Sequence, residues 1–293
     1  MSHPLHAAYF ADRCTQVTAE ILENRQLAKD TYLVRFAAPE IARQITPGQF
    51  VMLRLAGFND PLIGRPLALY DTYGPDSNPD SLSVVYLVKG KLSTRLATAL
   101  AGQKLEVWGP LGNGFLPQPT EHLVLVAGGI GQTPFLAVAQ EALGRRRYGS
   151  PQREGGFAKR VTFCYGARSA DYLTSIEDFD RLGVNVRIAT DDGSRGHHGL
   201  VTDLVRQTLA EDGSSHAGKT RILCCGPEPM MEAVSHLASE LGVPCQVSLE
   251  TPMACGIGIC FTCVAKVRDE RGEWDYKRTC VEGPVFDAAK IEW

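Results

Sequence analysis

"ETPMACGIGICFTCVAKV", residues 250–267, places three cysteines in nine positions and spaces them with glycines. The spacing is C-x4-C-x2-C over Cys255, Cys260 and Cys263, and Cys280 follows after sixteen intervening residues in "YKRTCVEGP". Four thiolates at these intervals match the plant-type arrangement around a [2Fe–2S] cluster. A loop that wraps two irons must turn tightly, and Gly256 and Gly258 permit the backbone angles this requires. Structural zinc sites usually show two C-x2-C knuckles, whereas only one pair here has that spacing. Zinc and disulfide pairing stand as the rival readings of the same four residues.

The rest of the chain sets the context for that segment. Its 293 residues suit two domains and a short appendage. A net charge of −3 points to neither nucleic acid nor an anionic membrane surface. No apolar run reaches the length of a membrane helix. The opening "MSHPLHAAYFADRCTQ" lacks a basic region followed by an apolar core, so no secretory leader is expected. Nine cysteines, an odd number, then argue for reduced thiols in the cytoplasm. Cys14, Cys164, Cys224, Cys225 and Cys245 are scattered among apolar neighbours and read as small buried hydrophobes.

Residues 13–118 carry short β-branched and aromatic runs between Gly, Pro, Asn and Asp. They predict a closed antiparallel barrel, interrupted by one helix over Ser93–Ala101 with Ser93 or Thr94 as its cap. From about 120 strands alternate with helices: "HLVLVAGGIG", "RVTFCYGARS", "VNVRIATDDGS" and "TRILCC". That rhythm predicts a parallel sheet with helices on both faces over 119–248. The cysteine segment then occupies 249–293. The basic stretch "GRRRYGSPQREGGFAKR" reads as a solvated loop, and His197 and His198 in "RGHHG" as a solvated turn.

Two further segments carry chemistry. Arg65 and Pro66 head a barrel strand in "GRPLALYD", where a guanidinium can hold a pyrophosphate through paired hydrogen bonds. "VKGKLST" offers helix N-terminal amides with the hydroxyls of Ser93 and Thr94, an anion site or simply a capped helix. "VAGGIGQTP" is a strand, Gly128-Gly129-x-Gly131 and a helix, a dinucleotide-type turn except that Pro134 stands where a third glycine would be. "CCGPEPMM" ends a second strand with glycine, and in a parallel sheet the two loops meet beyond the carboxyl ends of the strands.

In this order, barrel, nucleotide domain and iron–sulfur tail, the chain resembles the ferredoxin–NADP reductase superfamily. Within it the likeness is to the electron-transfer subunits of class B dihydroorotate dehydrogenases. "GRPLAL", "GPLGNGF", "VAGGIG", "YGARSADYL", "ATDDGS", "CGPEPMM", "MACGIGICFTC" and "YKRTCVEGPVF" fall in the family's order. The last two are the most specific, because other superfamily members carry a full ferredoxin domain much longer than this tail. The resemblance implies FAD, one [2Fe–2S] cluster and NAD, with Cys255, Cys260, Cys263 and Cys280 as cluster ligands. Arg65, Pro66, Leu67, Ala68, Val85, Tyr86, Leu87, Leu92 and Ser93 would line the flavin. Gly128, Gly129, Gly131, Cys225, Gly226 and Pro227 would border the nicotinamide nucleotide.

Three positions depart from the family pattern: Ala68 replaces a Ser or Thr, Leu87 a basic residue and Leu92 a glycine. Lys89 is the candidate to restore the missing charge. NAD against NADP turns on Arg168, which would suit a 2′-phosphate, and Asp191 or Asp192, which would suit a free ribose hydroxyl. The implied partner is an FMN-containing dihydroorotate dehydrogenase subunit, in a heterotetramer of two copies of each chain. Its electrons would pass through the cluster and FAD to NAD⁺ in pyrimidine biosynthesis. Gly256, Gly258 and Phe261 are expected at or near the subunit interface. A subunit of a ferredoxin-dependent NAD(P) transhydrogenase, a hydrogenase or a sulfite reductase would share these motifs, and a non-enzymatic zinc module is the reading from another class.

Overall fold

The structure, a computed structural model, describes residues 13–211 and 218–293. Residues 1–12, most of the stretch inspected for a leader, lie outside the described residues. Strands β1 (Thr15–Ala28), β2 (Thr31–Ala37), β3 (Phe50–Leu55), β4 (Arg65–Tyr73), β5 (Ser81–Leu87) and β6 (Lys104–Leu111) close a barrel in the order β1-β2-β5-β4-β3-β6. Every neighbouring pair is antiparallel. The period-two pattern decides which side fills the barrel: on β1, Ala19 and Ile21 are buried while Glu20 and Leu22 face solvent.

Two short helices decorate the barrel, α1 (Pro39–Ala42) and α2 (Lys91–Leu96). The second starts and ends earlier than expected, because Gly90 is its N-cap and Ser93 sits inside the first turn. The Ser93 hydroxyl accepts from the Lys89 and Gly90 N–H groups and donates to the Gly90 carbonyl.

The second sheet holds β7 (Thr120–Gly128), β8 (Ala158–Ala167), β9 (Asn185–Thr190), β10 (His197–His198), β11 (Thr220–Cys225) and β12 (Cys245–Ser248). Its order is β10-β9-β8-β7-β11-β12, parallel throughout, with one further antiparallel edge strand supplied by the tail. Both faces are covered, which is why β7 is apolar without alternation. Leu123, Leu125 and Ala127 pack under α3 (Phe135–Ala142) and α4 (Ile176–Arg181). Val124 and Val126 pack under α5 (Val201–Glu211) and α6 (Glu228–Glu240). Cys164, Cys224 and Cys245 are core members of that second face, as their apolar neighbourhoods imply. His197 bonds Asp203 of α5 at 3.1 Å. No helix among the described residues is long and apolar enough to cross a membrane.

The basic stretch is not a solvated loop. Arg146 bonds the Gly74 carbonyl, Tyr148 donates to Asp71 at 2.9 Å, and Arg153 grips Glu141 of α3 and the Phe115 carbonyl. These side chains reach back across the seam, so the loop fastens the sheet to the barrel. Tyr70 of β4 adds a bond to Asp178 of α4 at 2.5 Å.

The tail forms a hairpin, β13 (Val264–Arg268) and β14 (Trp274–Arg278), then β15 (Val285–Asp287). Strand β15 lies antiparallel to β12, with Ser248 opposite Val285. The "GPLGNGF" loop holds this return. Asn113 donates to the Glu282 and Val285 carbonyls and accepts from the Val285 N–H. Gly112 has φ +67°, and a Cβ there would stand 2.6 Å from Pro284 Cδ and 2.8 Å from the Gly283 carbonyl oxygen.

Candidate functional site

A cleft of about 810 Å³ opens where barrel, sheet and tail meet. All nine residues expected around the flavin border it, from Arg65 to Ala68 on β4, Val85 to Leu87 on β5, and Leu92 and Ser93 on α2. They do not contribute alike. Alternation on β5 turns the Tyr86 ring inward, stacked on Tyr32 at 5.8 Å with its hydroxyl bonded to Asn24. Leu92 is buried among barrel side chains. Arg65 is exposed, bonds the Ile63 and Gly64 carbonyls, and has no acidic partner among the described residues. A guanidinium with no acid to neutralise it, at the mouth of a cleft of this volume, suits a ligand with a pyrophosphate.

The glycine turns have a division of labour that spacing alone does not reveal. Gly131 and Cys225 border the cleft. A Cβ on Gly131 would fall 2.3 Å from the Cys225 carbonyl oxygen, and one on Gly128 would fall 2.6 Å from Met230 Sδ. On Gly226 it would reach 2.9 Å from the Gly128 nitrogen. These glycines let the loops after β7 and β11 touch. Gly129, by contrast, has φ +55° with open space beside it, and Pro227 is exposed, so these two are the accessible positions.

The third wall of the cleft was not foreseen. Ser248–Ala254 and Thr262 of the tail line it, opposite Lys89 on the barrel. Glu250 is exposed to the cleft there, and the protein packed around it pushes its carboxyl up while Lys89 draws it back down. Burial, and then Glu250, push the Cys225 thiol well above its ordinary value. A lone acid in an apolar run gives no local signal; only the return of the tail against the barrel reveals it.

The four cysteines converge in two pairs. Cys263 and Cys280 are 1 % exposed and within hydrogen-bonding reach of each other; that contact pulls Cys263 down to about 6 and pushes Cys280 up. Cys260 is exposed, and Thr262, followed by Cys255, draws its thiol down to about 6. Ligating thiols must lose their protons, and in each pair one thiol, Cys260 and Cys263, is already drawn towards the thiolate, whereas Cys280 keeps its proton while Cys263 is its neighbour. Among the described residues no three such side chains gather around one point. Two pairs suit a two-iron cluster better than a single tetrahedral zinc.

The loop between the pairs is held from behind. Trp108 donates to the Cys255 carbonyl at 2.9 Å, and Thr279 bonds the Cys263 carbonyl through both N–H and hydroxyl. Gly256 and Gly258 have φ +75° and +82°. Neither reaches the surface itself, so an interface at this loop would have them behind it rather than in direct contact. Both are buried, and a Cβ would stand 2.6 Å from Met52 Cγ and 2.5 Å from Val281 Cγ2 respectively. Phe261 does reach it, 62 % exposed beside Ile259 at 72 %.

Comparison with known proteins agrees with this layout. Residues 18–115 match the oxidoreductase FAD-binding domain and 125–236 the oxidoreductase NAD-binding domain. Residues 250–292 match the iron–sulfur cluster binding domain of dihydroorotate dehydrogenase B. The electron transfer subunit of dihydroorotate dehydrogenase B (NAD(+)) from Desulforamulus reducens is 35 % identical, covering 94 % of this chain and 97 % of that one. Its counterpart from Caldanaerobacter subterraneus is 33 % identical over 94 % and 98 %. A solved NADH-dependent reduced ferredoxin–NADP oxidoreductase superposes with TM-score 0.76 at 29 % identity, covering 94 % of this chain and 90 % of that one.

Proposed function

The chain belongs to the family of dihydroorotate dehydrogenase B electron transfer subunits, and from that premise we propose how its residues serve the transfer. Electrons pass from a dihydroorotate-oxidising partner subunit with FMN, through a [2Fe–2S] cluster and FAD, to NAD⁺ in the making of pyrimidines. When bound, the cluster carries single electrons, and the flavin gathers them in pairs for hydride transfer to nicotinamide. Cys255 with Cys260, and Cys263 with Cys280, hold the cluster. Arg65 takes the flavin pyrophosphate while Pro66, Leu67, Ala68, Val85 and Leu87 wall the ring system. Ser93 fixes the Lys89–Gly90 turn and so presents its backbone to the ligand. Gly129, Cys225 and Pro227 border the nicotinamide nucleotide. Lys89, facing Glu250 across the cleft, supplies the cation that Leu87 lacks.

One observation carries this reading: Ala254 and Thr262, neighbours of Cys255 and Cys263, line the same cleft as Arg65 and Val85. The cysteine loop therefore abuts the flavin site on its inner side. On its outer side Ile259 and Phe261 offer an apolar surface for the partner, in an assembly of two copies of each chain. The nine thiols, none of them disulfide-bonded, suit a reducing cytoplasm. A ferredoxin-dependent reductase subunit would share the cleft and the thiols, so the partner discriminates. The purified chain is expected to hold FAD, two irons and two sulfides, to oxidise NADH with an artificial acceptor, and to turn over dihydroorotate only with an FMN-containing partner. Dihydroorotate oxidation by the isolated chain would overturn the division of labour.

A further inference from the structure

We propose that Arg278 is the positioning residue of the cysteine loop, an inference that rests on the cluster reading above. Its side chain enters from β14, two residues before Cys280, and Nη1 donates to the Gly258 carbonyl at 3.0 Å. The same guanidinium lies 5.2 Å from the centre of the Phe261 ring. Glu282 anchors it from behind, accepting from the Arg278 N–H at 2.8 Å and from Nε at 3.4 Å. One side chain thus ties together the turn between Cys255 and Cys260, the residue after Cys260, and the strand that delivers Cys280.

The loop needs such a tie. Phe261 has φ +56°, a conformation that a bulky residue keeps only where its surroundings over-determine it. Phe261 is largely exposed, so core packing cannot supply that constraint; the guanidinium over its ring does. Gly258 is buried against Val281, and the Cβ it lacks would fall 2.5 Å from Val281 Cγ2 and 3.3 Å from Arg278 Nη1. Val281 and Arg278 therefore close on the Gly258 turn together. An arginine suits the position because its planar fork can bond a carbonyl and lie over a ring at once, which a lysine ammonium cannot.

Groups that orient metal ligands without touching the metal typically set affinity by 10–100-fold. Iron release from the intact protein to a ferrous chelator, with the visible circular dichroism of the cluster, reads this directly. Arg278→Met is expected to release iron at least about tenfold faster and to shift the cluster spectrum, with FAD content unchanged. Arg278→Lys is expected to fall between the two. Wild-type release and spectrum in Arg278→Met would overturn the proposal, as would full rescue by Lys, which would make charge alone the agent. Should Arg278→Met fail to accumulate folded, Glu282→Ala removes the oxygen that accepts both bonds and frees the guanidinium from its anchor. It is expected to speed release severalfold, and unchanged release there refutes the tie. Absence of iron from the wild-type chain would instead refute the cluster reading itself.

Discussion

Replacing Arg153 with Met removes the cation that neutralises Glu141, whose side chain is only 2 % exposed on α3. The pair is bidentate, 2.9 Å from Nε to Oε1 and 2.5 Å from Nη2 to Oε2, and Nη1 reaches the Phe115 carbonyl at 3.0 Å. Breaking a buried pair from one side costs about 3–5 kcal/mol, because the remaining charge is left unpaired. Arg153 is 19 % exposed, so water compensates in part and the lower figure, about 3 kcal/mol, is expected. The loss depends on pH. Burial already holds the Glu141 carboxyl above its ordinary value of 4.5, and without Arg153 it rises further. An acid with a raised folded pKa binds more protons folded than unfolded, so stability falls as pH climbs through that window. The penalty should be complete at neutral pH and fade as pH approaches 4.5. Urea midpoints of wild type and variant, taken across that range, measure it. Adding Glu141→Leu should recover most of the loss. A neutral-pH deficit under about 1 kcal/mol, or one that persists unchanged in acid, would refute the reasoning.

Cys263→Ser should strip most of the iron yet leave bound FAD, since the thiol pairs lie outside the cleft that Arg65 borders; full iron content would show the ligand set to be wrong. Phe261→Asp should weaken partner binding and dihydroorotate-to-NAD⁺ transfer while sparing NADH oxidation with artificial acceptors. Asp tolerates the left-handed backbone of that position, so loss of folding or of FAD would mean that the ring is core after all. Gln132 is wholly buried with neither side-chain polar atom partnered, so Gln132→Leu should stabilise the chain by about 1–3 kcal/mol in urea unfolding. A less stable variant would show that the amide has a partner.

What the sequence made legible was whatever its local pattern dictates. Alternating β-branched runs announced the barrel, the unbroken apolar run of "HLVLVAGG" announced a strand covered on both faces, and the cysteine spacing announced a two-iron loop. What stayed hidden depends on contacts between distant segments. Nothing near Asn113 says that it will grip residues 282–285, and nothing near Glu250 says that the barrel will face it with Lys89. The arginines of the basic loop find no partners within the loop itself; Glu141 on α3 and Asp71 and Phe115 across the seam supply them. Gly256 and Gly258 were correctly read as turn residues, but their burial against Met52 and Val281 depends on where the loop docks. The start of α2 was misplaced because a serine inside the first turn and a capping serine look alike in one dimension.

Ser248 and Val285 face each other across two adjacent antiparallel strands, so residues 249–284 leave the sheet and return to the point they left. In topological terms the whole redox segment is an insertion into a single strand-to-strand connection. Lengthening such a connection adds little entropy cost, growing only with the logarithm of its length. The segment can therefore be exchanged between related chains without re-pairing any strand of the barrel or of the parallel sheet, the Val267–Ile291 bridge being its pairing with the chain beyond it. The transplant is not free of its host, however. Met52 and Leu111 share one apolar cluster with Met253, Cys263, Cys280 and Val281. A foreign segment placed on this scaffold must bring matching partners for those two side chains, and simple deletion would leave both uncovered on the barrel wall.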